Sequence, residues 1–341
     1  MRLLDKREYG ELEAILKLDE KNLLKVMKIL LEEQYSNIIS TKDYIVAVGN
    51  TPVALVAHLD TVFKLPPQNI FYDREKNVMW SPEGLGADDR AGVFAIVEII
   101  RNYEDLTPTI ILTTGEEKGC IGAEALVEEI PLPPTEIKYI IELDRRGYDD
   151  CVFYSCDNEE FEKYVESFGF VTDWGSFSDI SSICPAWKIA GVNLSIGYYG
   201  EHDYCELLCI EHMYETIGKV VKMLKEADEA ESFEYIPKAY TFPTKTEFYE
   251  WNQSYEVAEE DLDYFLLNPN KSKCSFCGEE YFDYDLYPVF DEDKRDILYG
   301  CPDCISQEKS IKWCLNCGEP YINSNANQYC EECIEGILWE E

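Results

Sequence analysis

Apolar runs of strand length alternate with stretches of helical periodicity in the first part of the chain. The strand-like runs lie at 44–48, 53–57, 109–114 and 138–143, and the helical patterns at 11–18, 21–33, 91–101 and 123–129. Such alternation is typical of a sheet whose two faces are both covered by helices. It predicts an α/β fold, a three-layer αβα sandwich with a mostly parallel central sheet. A hairpin near 70–80 is expected to add antiparallel strands.

Five residues with metal-binding side chains lie in order along this region, each at the end of a strand-like run or in the turn that follows. They are His58, Asp88, Glu117, Asp144 and His202. The chain has three histidines, so two of them fall in this pattern. Because ligands bind beyond the carboxyl ends of strands in open α/β sheets, we expect these side chains to converge. One imidazole and one terminal carboxylate per ion, with Asp88 shared, would suit two divalent ions.

A single aspartate or histidine in a sequence more often faces water or makes an ordinary hydrogen bond than binds a metal. The five residues favour a metal site because they occur together, in order, at expected strand ends. The sequence therefore predicts a two-metal centre rather than scattered polar side chains.

Acidic neighbours of these residues are expected to support the site. Asp60 follows His58 by two residues on the same face of a strand, so its carboxylate can hold the distal ring nitrogen. A turn precedes the doublet Glu116-Glu117, which lets one carboxylate bind metal while the other stays free as a base. Asp89 is either a supporting contact behind the site or the N-cap of the next helix, and the sequence favours neither.

The motifs resemble a known group of enzymes. The segments Gly-Ala-Asp88-Asp89-Arg-Ala-Gly and Gly-Glu116-Glu117, with matching segments around the other ligand residues, resemble the co-catalytic di-zinc exopeptidases and deacylases of peptidase clan MH. This group includes di-zinc aminopeptidases, peptidase T and aminoacylases. The resemblance covers residues 44–225.

The resemblance implies two ions bridged by Asp88 and held at either end by one histidine and one carboxylate, namely His58 with Asp144 and His202 with Glu117. It also implies that Glu116 is the general base and that Asp88-Asp89 is a cis peptide bond. Zinc is the expected active-site metal, with cobalt or manganese as alternatives, because nitrogen and oxygen ligands accept all three.

Ligand spacing selects one branch of the clan. Only 57 residues lie between Asp144 and His202, which is too short for the lid domain that many carboxypeptidase-like and acylase-like members insert there. Only 29 residues lie between His58 and Asp88, which is too short for the extra β domain of the tetrahedral aminopeptidases. The segment around Ser178 also resembles the lidless aminopeptidases. We therefore predict a catalytic core without a lid, acting as an aminopeptidase-type exopeptidase that cleaves an amide bond.

Two other functions stay open. The first is an N-acyl amino acid deacylase or a dipeptidase of the same clan, which differs from an aminopeptidase in whether the substrate needs a free α-amino group. The second is a binding or adaptor protein whose peptidase-like region is a scaffold, although an intact ligand set and an intact Glu116 speak against it. The expected substrate is a peptide or an N-acyl amino acid.

The carboxyl-terminal region carries a second metal-binding pattern. Four Cys-x-x-Cys pairs occur there, namely Cys274/Cys277, Cys301/Cys304, Cys314/Cys317 and Cys330/Cys333. This spacing wraps thiolates around a tetrahedral zinc. The sequence around the first pair recurs forty residues later around the third, which indicates duplicated units. We therefore expect two tandem zinc ribbons, each with one structural zinc, formed by the first pair with the second and the third with the fourth. A crossed pairing remains an alternative.

Disulfide bonds are the competing explanation for paired cysteines. The amino terminus has no apolar segment of signal-peptide length, and no uninterrupted apolar stretch is long enough to span a membrane. We therefore expect a cytoplasmic protein with no membrane association. In a reducing compartment, Cys-x-x-Cys pairs favour metal over disulfide.

Length and charge predict three regions and limit the partners. We expect a catalytic domain at 1–230, an acidic and aromatic connector at 231–270, and the zinc ribbons at 271–341. The formal net charge is −38, and residues 271–341 carry six basic against 16 acidic side chains. Such charge repels phosphate backbones, so nucleic acid is not an expected partner. A protein partner is the expected ligand of the ribbons.

Overall fold

The chain divides into two compact units, Met1–Tyr240 and Thr241–Glu341. The structure is a computed structural model that describes residues 2–175, 177–238, 271–282, 287–291, 296–301, 304, 310–313 and 320–322. No helix among these residues is both long enough and apolar enough to cross a membrane.

The first unit alternates strands with helices. Its described helices are α1 (Lys6–Lys17), α2 (Glu20–Glu32), α3 (Ala87–Asn102), α4 (Ile121–Glu129), α5 (Glu159–Glu166), α6 (Ile180–Trp187) and α7 (Ile210–Glu226). Its described strands are β1 (Ile38–Ser40), β2 (Tyr44–Ala47), β3 (Thr51–His58), β4 (Phe71–Asp73), β5 (Val78–Trp80), β6 (Pro108–Thr113), β7 (Tyr139–Arg145), β8 (Asp150–Val152), β9 (Val171–Thr172), β10 (Gly191–Ser195), β11 (Tyr198–Tyr199) and β12 (Leu207–Cys209).

Eight strands form the central sheet, in the order β1-β2-β6-β3-β7-β10-β8-β9. The pairs at its centre, β6 with β3, β3 with β7 and β7 with β10, are parallel. The predicted hairpin, β4 with β5, belongs to a second sheet of order β11-β12-β5-β4. The predicted fold class, a helix-covered and mostly parallel sheet, is therefore confirmed.

Strand β3 shows why the core has two halves. Alternate side chains of a strand point to opposite faces of the sheet. Val53, Leu55 and Ala57 accordingly pack in one apolar cluster, together with α1, α2, α3, α5 and α7. Ala54 and Val56 pack in another cluster, with α4 and α6. Because both faces are buried, the sequence of β3 is a continuous apolar run rather than an alternating one.

The start of α1 lies earlier than the sequence pattern predicts. The helix begins at Lys6, five residues before the predicted start at 11, because Asp5 and Glu8 form a capping box. The Asp5 side chain accepts from the Glu8 backbone, and the Glu8 side chain accepts from the Asp5 backbone. Apolar periodicity does not detect these polar contacts, since they satisfy the free N–H groups of the first turn.

Residues 231–238, the start of the predicted connector, belong to the first unit and pack on its core. Phe233 donates its backbone N–H to the carbonyl of Lys138 at 2.8 Å, and its own carbonyl accepts from Ala190 at 2.9 Å. The Phe233 ring lies 5.0 Å from the ring of Phe161. The rest of the predicted connector, residues 239–270, lies outside the described residues, so the predicted domain limits at 230 and 270 remain predictions.

The described part of the second unit is made of short strands. They are β13 (Lys271–Lys273), β14 (Glu280–Phe282), β15 (Tyr287–Asp291), β16 (Asp296–Gly300), β17 (Lys312–Trp313) and β18 (Pro320–Ile322). Strand β13 pairs with β14, and β16-β15-β18-β17 form a second sheet. The antiparallel hairpin of β13 and β14 contains Cys274 and Cys277 between its strands, and Cys301 follows β16, which is consistent with the predicted zinc ribbon.

Candidate metal and active site

Strand β3 delivers the first predicted ligand to the site. His58 is the last residue of β3, and its side chain is almost fully buried. Oδ1 of Asp60 lies 3.3 Å from Nδ1 of His58, which leaves Nε2 directed at the other side chains of the site. The Asp60 carboxylate also accepts the backbone N–H groups of Glu116 at 3.1 Å and Glu117 at 3.3 Å. Asp60 therefore connects the end of β3, at His58, with the turn after the neighbouring parallel strand β6, which carries Glu116 and Glu117.

Asp88 and Asp89 lie at the start of α3, where the backbone departs from helical geometry. The peptide bond between them is cis, as the family resemblance implies. Asp89 is fully buried; its Oδ2 accepts from the backbone N–H of His58 at 3.2 Å, and its Oδ1 accepts from that of Gly92 at 3.0 Å. Both interpretations of Asp89 therefore hold, since it caps the helix and supports His58.

The five predicted ligands form two groups of three that share Asp88. In the first triad (His58, Asp88, Asp144) and in the second triad (Asp88, Glu117, His202), the potential ligand atoms lie within 4.8 Å of one another. Oδ1 of Asp88 is 3.2 Å from Nε2 of His58, and Oδ2 of Asp88 is 3.3 Å from Nε2 of His202. One oxygen of Asp88 thus faces each histidine, which is the geometry of a bridging carboxylate.

Glu116 and Glu117 follow β6, after a left-handed turn at Gly115 with a φ of 68°. Oε2 of Glu117 lies 3.1 Å from Nε2 of His202. Its other oxygen, Oε1, is buried without a hydrogen-bond partner among the described residues. Glu116 belongs to neither triad, and its Oε2 lies 4.0 Å from Nε2 of His58. Burial raises the pKa of Glu116 to about 8.

Three side chains hold Asp144 in place. Ser178 Oγ donates to Oδ2 of Asp144 at 3.0 Å, and the Tyr198 hydroxyl donates to Oδ1 at 3.1 Å. Asn193 on β10 accepts from the backbone N–H of Asp144 at 2.9 Å and donates to its carbonyl at 2.6 Å. Burial raises the pKa of Asp144 to about 7, with the charge of Asp88 adding to the effect. These contacts fix the orientation of the carboxylate.

His202 lies in a turn after β11, in the left-handed region with a φ of 65°. Hydrogen bonds to Asp88 and Glu117 raise the pKa of His202 to about 11. Burial opposes the charged form of His58, but Asp144, Asp60 and Asp88 together raise its pKa well above the ordinary value. Each histidine is therefore surrounded by carboxylates that favour a positive charge next to them.

The residues present fit a pair of divalent cations. Four carboxylates and two imidazoles converge on a small volume, and like charges at such distances repel unless cations neutralise them. The unpartnered oxygen of Glu117 has free lone pairs for a ligand bond. Nitrogen and carboxylate oxygen donors in two sets of three, each leaving positions open, are the donor sets of catalytic rather than structural metal sites.

A cavity of about 430 Å³ opens over the two triads. Its walls include four of the five predicted ligands, namely Asp88, Glu117, Asp144 and His202, and also Glu116. The other lining side chains include Arg145, Arg146, Tyr154, Trp174, Phe177 and Tyr198. Arg146 pairs with Glu201 at 2.7 Å, and Arg145 pairs with Asp173. A substrate that enters this cavity meets the potential metal ligands and Glu116 together.

Glu206 is a supporting residue to which the sequence pattern assigns no role. Its side chain is fully buried and accepts from the backbone N–H of Gly86 at 2.5 Å and of Asp88 at 2.9 Å. Burial raises the pKa of Glu206 to about 7. The sequence offers only a weak indication of this role, an acidic residue four positions after the predicted ligand His202. The backbone groups that Glu206 binds are far away in the sequence, so no local pattern reveals them.

The second unit contains the other candidate metal site. The sulfur atoms of Cys274, Cys277, Cys301 and Cys304 lie within 4.8 Å of one another, the pairing predicted for the first ribbon. Burial by itself raises the pKa of the Cys274 thiol. Backbone hydrogen bonds from Cys277 and Cys301 outweigh this effect and lower the pKa to about 6, so the thiolate is available at neutral pH. Cys314, Cys317, Cys330 and Cys333 lie outside the described residues, so the second ribbon remains a prediction.

Comparison with known proteins agrees with this geometry. Residues 39–171 match the family model of Peptidase family M28. The predicted resemblance to the clan MH zinc exopeptidases is confirmed. The curated "Uncharacterized protein YqjE" of Bacillus subtilis (strain 168) is 39% identical over 82 residues, which cover 22% of this chain and 21% of that protein. The chain thus matches about a fifth of that relative's length.

Two solved structures share the fold of the first unit. Aminopeptidase PepT from Bacillus cereus ATCC 10987 has a TM-score of 0.53 at 16% identity, covering 66% of this chain and 99% of that one. A tripeptidase from Staphylococcus aureus subsp. aureus Mu50 has a TM-score of 0.55 at 14% identity, covering 67% of this chain and 100% of that one. At such identities the likeness establishes the fold.

Proposed function

We propose that the protein is a metal-dependent hydrolase that cleaves amide bonds, acting as an aminopeptidase-type exopeptidase. The observation that carries this proposal is the shared position of Asp88, whose two oxygens face His58 and His202. Two triads joined by one carboxylate are suited to a two-metal hydrolytic centre. The match to a peptidase family model over residues 39–171 supports amide hydrolysis over other hydrolytic reactions.

The two triads would each hold one divalent cation, with zinc as the proposed metal. When bound, the pair would polarise the scissile carbonyl and lower the pKa of a water molecule toward neutrality. The Asp60 carboxylate, 3.3 Å from Nδ1 of His58, would orient the imidazole so that Nε2 faces the site. Ser178 and Tyr198 keep the Asp144 carboxylate oriented in the same way.

Glu116 is the proposed general base. It lines the cavity and lies outside both triads, so its carboxylate is available to the attacking water. Glu116 removes a proton from this water and later gives the proton to the leaving amine.

The exopeptidase assignment has separate support. The two similar structures described above are named an aminopeptidase and a tripeptidase. The proposed substrates are therefore short peptides with a free α-amino group. We further propose a cytoplasmic location and a protein partner for the zinc ribbons.

Replacement of Glu116 by Gln tests the proposed mechanism. Glu116→Gln keeps the shape of the side chain but cannot accept the proton, so kcat should fall by about 10²–10⁴-fold while the metal content stays unchanged. Glu124→Gln, an exposed change on α4, is the matched control and should keep full activity. Full turnover by metal-loaded Glu116→Gln protein would exclude the proposed role.

The choice of substrates tests the exopeptidase assignment. A panel should contain aminoacyl p-nitroanilides, their N-acetylated forms and N-acetyl amino acids. An aminopeptidase hydrolyses the free amines and leaves the acetylated substrates intact. Hydrolysis of N-acyl amino acids alone would instead identify a deacylase.

A further inference from the structure

We propose that Trp174 and Phe177 form a subsite that receives a bulky apolar side chain on the amino-terminal residue of the substrate. This inference rests on the proposed function, and it names the substrate class of the same site. The aromatic loop denotes the described residues 173–175 and 177–178, which carry both aromatic side chains.

Trp174 and Phe177 are exposed to an unusual degree for aromatic side chains. Their relative exposures are 79% and 57%. Both line the same cavity of about 430 Å³, whose wall includes members of both triads. Large aromatic side chains usually gain stability from burial. Two exposed rings beside a concave site with potential metal ligands therefore indicate a surface that a ligand covers.

The aromatic loop is attached at its two ends. At one end, Asp173 donates its backbone N–H to the carbonyl of Cys151 at 2.9 Å, and its carboxylate pairs with Arg145. At the other end, Ser178 donates to Oδ2 of Asp144 at 3.0 Å. Because Asp144 is a potential metal ligand, this contact sets the aromatic residues next to the reacting centre.

The middle of the aromatic loop lies against β8 and the residues that follow it. A Cβ atom added to Gly175 would lie 3.0 Å from Cγ1 of Val152 and 3.2 Å from the Tyr154 ring. The glycine backbone therefore packs closely against these two side chains. This packing supports the backbone next to Trp174, and Phe177 directly precedes Ser178, which is attached to Asp144.

The charges in the cavity favour an uncharged substrate side chain. Arg146 pairs with Glu201, and Arg145 pairs with Asp173, so neither arginine presents an uncompensated charge. The hydroxyl of Tyr154 accepts from Asn193 at 2.8 Å. The other acidic groups of the wall belong to the two triads or to Glu116. Beyond the reacting centre, the aromatic rings are the main groups left to bind a side chain.

Single substitutions on the aromatic loop test the subsite. The aminoacyl p-nitroanilides of Leu, Phe, Ala, Lys and Glu are compared on metal-loaded wild-type, Trp174→Ala and Phe177→Ala proteins. The wild type should prefer Leu or Phe over Ala by at least about tenfold in kcat/KM, since one or a few methylene groups give discrimination of this order. Each variant should lose most of this preference, because kcat/KM for Leu and Phe should fall by a larger factor than kcat/KM for Ala.

Phe71→Ala is the matched control, because Phe71 is also an exposed aromatic residue but stacks on Trp80 outside the cavity. This variant should keep the wild-type preference. Circular dichroism and metal content should be unchanged in all variants, which separates loss of the subsite from loss of the fold. Phe177→Leu keeps an apolar side chain and should restore part of the preference.

Three outcomes would overturn the subsite while leaving the proposed function intact. The first is a wild-type preference for Lys, Glu or Ala. The second is an equal loss of activity on Ala and on Leu in the variants. The third concerns dipeptides in which an apolar residue X comes either before or after glycine. If the rate of hydrolysis depends on X in Gly-X but not in X-Gly, the apolar preference lies on the carboxyl side of the cleaved bond.

If no substrate is hydrolysed, the proposed function is refuted. In that case the subsite is tested separately, by measuring the affinity of the protein for amines with and without an apolar side chain. Calorimetric titration of metal-loaded wild-type protein with leucinamide and glycinamide compares the same amine with and without an apolar side chain. Tighter binding of leucinamide that is lost in Phe177→Ala would support the subsite. Equal affinities would overturn it.

Discussion

The carboxylate of Glu206 accepts a hydrogen bond of 2.9 Å from the backbone N–H of Asp88. A second hydrogen bond, from Gly86, holds the residue two positions before this aspartate. Glu206 is four residues after His202, so it links the segments that carry two members of the second triad. The distance between these potential ligands therefore depends on a buried side chain outside the ligand set.

Replacement of Glu206 should weaken cation binding. Glu206→Gln can still accept one hydrogen bond, but its amide group cannot accept from both backbone donors. We expect a loss of about 10- to 100-fold in metal affinity, and a larger one for Glu206→Ala, because contacts that orient ligands contribute on this scale. Competition with a chelator measures the effect. The exposed Glu215→Gln change on α7 is the control, and equal affinities in the two variants would contradict the prediction.

Cation binding to the second triad should depend on pH. Hydrogen bonds to Asp88 and Glu117 raise the pKa of His202 to about 11, so the histidine carries a proton at neutral pH in the protein alone. The stability that this proton contributes is present below the ordinary pKa near 6.5 and is lost as the pH rises through about 11. A cation must displace the proton. Its apparent affinity should therefore rise about tenfold per pH unit for each proton released.

Calorimetry between pH 6 and 8, in buffers of different ionisation enthalpy, counts the protons released on binding. His212→Gln is a suitable control, because His212 lies outside both triads and its Nδ1 contacts the Tyr199 hydroxyl at 2.6 Å. This variant should release the same number of protons as the wild type. An affinity that does not change with pH would contradict the assignment of His202 as a ligand.

Two glycine-to-alanine changes should have opposite effects on stability. A Cβ atom at Gly92 would clash with the Leu143 carbonyl and with the Asp89 carboxylate, so Gly92→Ala should lower the free energy of unfolding by about 1–3 kcal/mol. Gly10 on α1 has no heavy atom within 4 Å of such a Cβ. Gly10→Ala should raise the free energy of unfolding by about 0.4–1 kcal/mol, because alanine restricts the unfolded chain. Urea denaturation measures both, and the same sign for both would contradict the packing.

The four-cysteine cluster should bind metal independently of the catalytic site. Cys301→Ser removes one thiolate from the group of Cys274, Cys277, Cys301 and Cys304. Elemental analysis should show the loss of one zinc per chain, with the other metals retained and with small-substrate hydrolysis unchanged. Cys205→Ser changes an exposed cysteine outside the cluster and should keep every metal. Unchanged zinc content in Cys301→Ser would refute this site.

Local patterns were sufficient to predict the main features of the first unit. The apolar run before His58 predicts a buried strand, and β3 ends at this residue. The sequence also predicts the turn at Gly115, where a left-handed residue redirects the chain after β6. Glu117 then joins the second triad, whereas Glu116 does not. The sequence does not predict helix α5, because its eight residues, with Phe161 and Val165 buried, are too few for apolar periodicity to distinguish a helix from other structure.

The residue types, their order and their placement at strand ends are properties of the sequence, and they indicate both the α/β sheet and the potential metal ligands. Apart from Asp60, which the sequence predicts next to His58, the side chains that support those ligands were decided by the tertiary structure. Asp89, Ser178 and Glu206 contact residues that are 31, 34 and 118 positions away along the chain. Hydrogen bonds at such separations depend on how the strands and helices pack, and short-range sequence periodicity contains no information about that packing.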